Sequence, residues 1–263
     1  MFPTLVKIGN FEITTFGLMM FLAFIIGGWV LARQFRQHGI SEEIASSMVV
    51  AAALGGIAGA KIYYAILFHD WRLLFDRAGL VWYGGLIGGF LACSWLIWRN
   101  KVDYLTAADS AAPALSIGYA LGRIGCFLVG DDYGRPTDAW FGIAFPKGAP
   151  PTTAQALREF GAPVDPSLPP DVILRVHPTQ LYETFAALVM FGVLMWLNRR
   201  PHRRGLAWGL FLVMLGVERF LVEMVRAKDD RFLGAFTVAQ LISVLLVFAG
   251  VFILSRAKTR DLG

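Results

Sequence analysis

The chain carries seven stretches of about twenty predominantly apolar residues, at roughly 12–33, 44–68, 80–98, 105–129, 179–197, 205–225 and 236–255. A helix needs about that length to cross the hydrocarbon core of a bilayer. Within lipid, only helices and closed barrels satisfy their own backbone polar groups. The runs lack the narrow apolar stripe of a soluble amphipathic helix. The expected class is therefore all-α, a polytopic membrane protein with seven transmembrane helices in a single domain. Composition agrees. The 263 residues are 16% charged, below the ~25% usual in soluble domains, and the mean hydropathy is +0.57. Of the two cysteines, Cys93 lies inside an apolar run, so no disulfide framework is expected. The first run is too long for a signal-peptide core and has no basic segment just before it, so it is expected to be retained. The net charge of +5 is modest, and its placement matters more than its size. Nucleic acid is not an expected partner.

Basic residues follow alternate runs. Arg33 and Arg36 follow the first, Arg99 and Lys101 the third, Arg199, Arg200, Arg203 and Arg204 the fifth, and Arg256, Lys258 and Arg260 the seventh. The positive-inside rule places all four clusters in the cytoplasm. The N-terminus is then outside and the C-terminus cytoplasmic. The fourth run is the weakest, because it contains Asp109, Pro113 and Arg123, but without it the clusters would fall on opposite sides. The long proline-rich segment 131–178 is expected outside, as a periplasmic loop or cap. A loop of that length is usually functional or disordered. Glycines recur on the second run (Gly55, Gly56, Gly59) and the third (Gly84, Gly85, Gly88, Gly89). Close helix packing explains them, with close approach to a ligand as the alternative.

Charge within a span is costly, so it is usually paired or functional. With each helix given its direction, Lys61 on the second run, Arg123 on the fourth, and Glu218, Arg219, Glu223 and Arg226 on the sixth all lie toward the outer surface. The fifth run begins there with His177, Gln180, Tyr182 and Glu183, and the third with Trp82 and Tyr83. Arg219 and Glu223 are four residues apart and share a helix face. One reading is an ion-paired helix end whose long side chains reach the interface. The other is a receptor for an anion, and in the outer leaflet the available anion is a phospholipid phosphate, which arginine binds through paired hydrogen bonds.

The strongest local signal is Gly122-Arg123-Ile124-Gly125-Cys126-Phe127-Leu128-Val129-Gly130-Asp131-Asp132-Tyr133-Gly134-Arg135. It resembles the signature of the prolipoprotein diacylglyceryl transferase family. Further segments resemble that family's in order: Phe16-Gly17-Leu18, Gly59-Ala60-Lys61-Ile62-Tyr63-Tyr64, Tyr83-Gly84-Gly85, His177-Pro178-Thr179-Gln180-Leu181-Tyr182-Glu183, and Glu218 through Arg226. The resemblance implies a seven-helix enzyme of the bacterial inner membrane whose active site faces the outer leaflet. It implies transfer of diacylglycerol from phosphatidylglycerol to the lipobox cysteine thiol in the signal peptide of a preprolipoprotein. A thioether forms and glycerol phosphate leaves. No metal or other cofactor is implied. The partners are phosphatidylglycerol, the preprolipoprotein and the surrounding membrane lipids.

Such chemistry needs a site that favours the thiolate, stabilises the leaving phosphate and aligns thiol with carbon. Arg123 and Arg219 are the candidates for the phosphate, with Arg226 beside them. Glu223 would orient Arg219, and Lys61 would add charge. Gly134 and Arg135 would shape the entrance, with Asp131 near the head group. Several positions depart from the family pattern. Tyr83 stands where the family has histidine, and a tyrosine, with a pKa of about 10, is a poor base at neutral pH. Either nearby cations activate Tyr83, or the histidine is not an obligatory base. Glu223 or Asp131 would then serve, or positive potential alone would lower the thiol pKa. Phe16 replaces a tyrosine, Cys126 an asparagine and Asp131 a glutamate. Cys126 is expected to pack as a small apolar residue rather than act as a nucleophile. His177, followed by Pro178, is expected to hold the long loop against the fifth helix. A transporter would need polar residues continuing through the inner half of the bundle, where Asp109 is nearly the only one. A lipid-binding scaffold would bind the lipid without transferring it.

Overall fold

Each apolar run becomes one helix, the local arrangement in which a backbone pairs its own polar groups. The computed structural model describes residues 3–8, 11–75, 79, 81–228, 231–233 and 236–256. Lys258, Arg260 and the side chain of Trp82 lie outside the described residues. In chain order, a hairpin of β1 (Thr4–Ile8) and β2 (Phe11–Thr14) leads into α1 (Thr15–Gln37) and α2 (Glu42–Leu67). A 3-10 turn at Trp71–Phe75 precedes α3 (Trp82–Arg99) and α4 (Tyr104–Val129). Next come β3 (Ile143–Ala144), α5 (Ala154–Glu159) and β4 (Arg175–Val176). They are followed by α6 (Thr179–Asn198), α7 (Leu206–Glu223), β5 (Arg231–Leu233), β6 (Phe236–Thr237) and α8 (Val238–Arg256).

The seven longer helices, α5 excepted, fall within a few residues of the seven predicted runs. Five of them, α1, α2, α4, α6 and α8, are long and apolar enough to cross a membrane. Large apolar side chains such as Phe21, Trp29, Leu54, Leu245 and Phe248 point outward from these helices. Water would penalise such a surface, and lipid does not. Pro113 lies inside α4 without ending it. The turn from α1 to α2 uses Gly39 at φ 70°, and the Ser41 side chain caps α2 by accepting from the Glu43 N–H.

The chain divides into two compact units, one of residues 28–111 and the other of 1–27 with 112–263. In the first, α2 and α3 meet along a glycine seam. A Cβ on Gly59 would overlap the Gly84 carbonyl oxygen, and one on Gly88 the Gly55 carbonyl oxygen. The packing reading of these glycines therefore holds. In the second unit a similar seam joins α7 and α8, where a Cβ on Gly250 would stand 2.6 Å from the Gly209 carbonyl oxygen. Ala112, Leu194, Ala207, Phe211 and Leu212 form an apolar core between α4, α6 and α7.

Segment 131–178 also belongs to the second unit and is folded. Tyr133, Phe145, Leu157, Ala162 and Val176 make its core. The Tyr133 and Phe145 rings stack at 5.7 Å, and the Tyr133 hydroxyl donates to the Pro150 and Pro151 carbonyls. β3 pairs antiparallel with β4, so the segment's two arms close on each other just before α6 begins.

Candidate active site

The site is built where α4 ends. Gly130 breaks the helix at φ 77°, and Asp132 follows in the same left-handed region at φ 56°. A non-glycine residue seldom adopts that conformation unless its surroundings hold it there. They do here. The Thr179 hydroxyl donates to the Asp132 carbonyl at 2.8 Å, and the Gln180 side-chain amide donates to the Asp131 carbonyl. Gly134 donates to the His177 carbonyl at 2.8 Å and Arg135 to the Val225 carbonyl at 2.8 Å. The loop after α4 is thus stitched to the start of α6 and to the stretch just after α7. Gly134 has no room for a side chain, since a Cβ would stand 2.5 Å from the Val225 carbonyl oxygen and 2.8 Å from His177 Cβ.

This stitching aims three arginines at one place. Arg123, on the last two turns of α4, reaches Glu183 on α6 at 3.0 Å through Nη2 and Asp132 at 2.9 Å through Nη1. Arg219 on α7 reaches the same Glu183 oxygen at 3.4 Å and Glu223, one turn on, at 2.6 Å. Arg226 closes the ring, with Nη2 on Asp132 at 2.7 Å and Nε 3.9 Å from Glu223. The guanidinium side chains are 12–24% exposed, whereas Glu183 is fully buried. The arginines are therefore not a bare cationic cup. Three cations alternate with three carboxylates, which offsets much of the cost of holding charge largely out of water.

A second layer lies beneath. The Tyr119 ring packs under the Arg123 guanidinium at 5.5 Å, and its hydroxyl donates to Glu183 at 3.0 Å. The Glu218 carboxylate lies 3.4 and 3.5 Å from that hydroxyl. Outside the helices, the carboxyls of Asp132 and Asp131 are shifted in opposite directions. Burial disfavours ionisation of Asp132, but Arg226 and Arg123 outweigh it and hold its carboxyl below the usual carboxylate range. Burial pushes Asp131 above that range, and its Oδ1 is enclosed without a hydrogen-bond partner among the described residues.

Of the residues singled out in the sequence, Arg123, Arg219, Glu223, Arg226 and Glu183 come together in the network. Gln180, Gly134 and His177 support it through the loop. The Arg135 side chain donates from Nε to the Arg226 carbonyl at 3.0 Å, which fixes the chain next to the third arginine. His177 pairs through Nδ1 with the Tyr182 hydroxyl at 3.2 Å. Cys126 is buried, with Arg123 Nη1 at 3.8 Å from its sulfur, and both cysteines are free thiols. Phe16, at the start of α1, packs over Gly125, whose Cβ would lie 3.3 Å from its ring. Lys61 on α2 and Tyr83 in the first turn of α3 belong to the other unit. Two network members were not anticipated. Asp132 stands inside the quoted motif, next to Asp131. Tyr119 is one turn before Arg123, on the same helix face, and that spacing was the available signal.

Residues 3–256 match the family model described as prolipoprotein diacylglyceryl transferase. A phosphatidylglycerol–prolipoprotein diacylglyceryl transferase of Vibrio atlanticus is 31% identical, covering 98% of this chain and 91% of the relative. One from Shewanella oneidensis is also 31% identical, over 98% and 97%. Another from Vibrio parahaemolyticus is 30% identical, over 99% and 92%.

Proposed function

The chain belongs to the prolipoprotein diacylglyceryl transferase family, and from that premise we propose that it joins the diacylglyceryl group of phosphatidylglycerol to the lipobox cysteine of preprolipoproteins. The cysteine sulfur attacks the glycerol carbon that bears the phosphate. A carbon–sulfur bond forms, the carbon–oxygen bond breaks, and its electron pair leaves with glycerol phosphate. The thiol proton departs as the thiolate forms. The products are a thioether-linked diacylglyceryl protein and glycerol phosphate.

The observation that carries this reading is the convergence of Arg123, Arg219 and Arg226 on one partly exposed spot, held by Glu183, Glu223 and Asp132. A leaving phosphate gathers negative charge as the bond breaks. Guanidinium groups already fixed by buried carboxylates meet that charge without having to reorganise. Arg123, Arg219 and Arg226 together face the phosphate in this account. Glu223 orients Arg219, and Gly134 with Arg135 shapes the loop beside them. The same positive groups favour the thiolate form of an incoming cysteine. Glu223, in the network, or Asp131, on the loop beside it, takes the thiol proton, or the positive potential alone lowers the thiol pKa. Lys61 and Tyr83 remain site candidates on the strength of their motifs alone.

The membrane arrangement is part of the proposal. All seven long helices cross the bacterial inner membrane within one domain, with the N-terminus outside and the C-terminus cytoplasmic. Segment 131–178 forms a periplasmic cap, and the site opens to the outer leaflet. The basic clusters after alternate helices support this orientation. The deciding experiment combines purified protein, a lipobox peptide and phosphatidylglycerol, with mass spectrometry of the peptide and assay of glycerol phosphate. A diacylglyceryl adduct, lost when the peptide cysteine is serine, is the expected result. Lipid binding without adduct or glycerol phosphate would replace transfer with a binding role.

A further inference from the structure

The three carboxylates that balance the arginines are not equivalent. Glu183 is fully enclosed and Glu223 nearly so, each on a helix. The side chain of Asp132 is 43% exposed and sits on the loop after α4. Its two oxygens divide between two arginines, Oδ2 with Arg123 Nη1 at 2.9 Å and Oδ1 with Arg226 Nη2 at 2.7 Å. One anionic centre thus offers two oxygens to two separate guanidiniums. The two unesterified oxygens of a phosphodiester would make the same pair of contacts.

We propose that Asp132 occupies the phosphate seat of this site, and that the phosphate of an anionic phospholipid displaces it to bind between Arg123 and Arg226. The proposal rests on the transferase reading given above. The exchange disturbs little else. Arg123 keeps Glu183 through its other terminal nitrogen, Nη2, and Arg219 keeps Glu223. Two charge-assisted contacts are lost and two are made. A singly charged carboxylate leaves as a singly charged phosphodiester arrives, so the net charge of the network is unchanged. The displaced carboxylate, already half exposed, moves into water. Lipid affinity is then reduced by the fraction of time that Asp132 holds the seat. After transfer, the returning carboxylate competes with glycerol phosphate for the same two arginines and hastens its release.

Asp132→Asn and Asp132→Gly separate this role from a structural one, since both residues accept a left-handed backbone. The probes are short-chain phosphatidylglycerol and free glycerol phosphate, titrated by calorimetry against full-length protein in detergent. Displacement predicts that both variants bind both probes about tenfold more tightly than the parent, on the scale of one lost charge-assisted competitor. If Asp132 instead only positions the arginines, both variants bind equally or more weakly, and the proposal is overturned while the transferase reading stands. A gain for glycerol phosphate without one for the lipid overturns the lipid assignment of the seat. A parent protein that binds neither probe and yields no diacylglyceryl peptide removes the transferase reading, and the proposal with it.

Discussion

Tyr119 donates its hydroxyl hydrogen to the same Glu183 oxygen that Arg123 reaches, each at 3.0 Å. Its ring lies under that arginine at 5.5 Å. One side chain therefore supports both halves of a buried ion pair. Tyr119→Phe keeps the ring and removes the donor. A lost hydrogen bond to a buried charged group is worth about 1–3 kcal/mol. Turnover should fall about tenfold, with KM for phosphatidylglycerol little changed, and Tyr119→Ala should fall further. Steady-state kinetics with a lipobox peptide decides the matter, and parental kcat in the Phe variant would count against a positioning role.

Arg219 meets Glu183 and Glu223 from α7 and faces the place assigned to the leaving phosphate. Arg219→Ala should abolish detectable transfer, because it removes a donor to the developing charge and leaves Glu223 without its 2.6 Å partner. Arg219→Lys keeps the charge but loses the planar fork, and should recover only a small part of the rate. Near-normal turnover in the Ala variant would refute the phosphate-clamp assignment.

Two glycine-to-alanine changes should differ in their effect on stability. Alanine is the better helix former by about 1 kcal/mol. At Gly192 on α6 a Cβ meets nothing within 4 Å, so Gly192→Ala should be neutral or raise the melting temperature. At Gly59 a Cβ would overlap backbone of Gly84 and Gly88. Gly59→Ala should lower the melting temperature clearly despite its better propensity. Thermal unfolding in detergent compares them directly, and equal shifts would mean that the α2–α3 seam is not tight.

The pH dependence of the loop after α4 follows from Asp132. Its carboxyl is held below its ordinary range, because Arg226 and Arg123 outweigh the effect of burial. A carboxyl depressed on folding stabilises the folded state fully above its unfolded pKa of about 4. That contribution is lost as pH falls from there through the lower folded value. Hydrogen exchange at the amides of 130–136 should therefore speed up as pH drops below about 4, after correction for intrinsic rates. Asp132→Asn should lack this step, and superimposable profiles for the two proteins would contradict the assignment.

The helices were readable in the sequence because the constraint that makes them is local. A run of about twenty apolar residues has one solution in lipid, and even α4, with Pro113 inside it, follows that rule. The α2–α3 seam was readable from glycine spacing, whereas the matching α7–α8 seam uses Gly209, Gly216 and Gly250, spaced too widely to form a visible pattern. The β1–β2 hairpin and the core of 131–178 depend on pairings that no periodicity announces. In the site, the arginines stood out because charge in a span is rare. Their partners were harder to rank. Glu183 was noted as a polar residue at a helix mouth, yet it is the buried centre of the network. Asp132 was passed over for Asp131, since only the left-handed turn at 132 directs that side chain to Arg123 and Arg226.

The order in which the partners of Arg123 lie along the chain has a consequence for how the protein is made. Synthesis delivers Arg123 first and Asp132 immediately after it. Glu183 comes only when α6 has been made, and Arg219, Glu223 and Arg226 later still. An unpaired arginine within a span costs about 2.5–3.5 kcal/mol on insertion. For the interval in which the ribosome builds residues 133–178, the carboxylate partner of Arg123 already made is Asp132. In a half-made chain Asp132 is the carboxylate of the set within reach in sequence, and the final set is complete only once α6 and α7 have been made. Substitutions at Asp132 therefore bear on the yield of inserted protein as well as on the behaviour of the completed one.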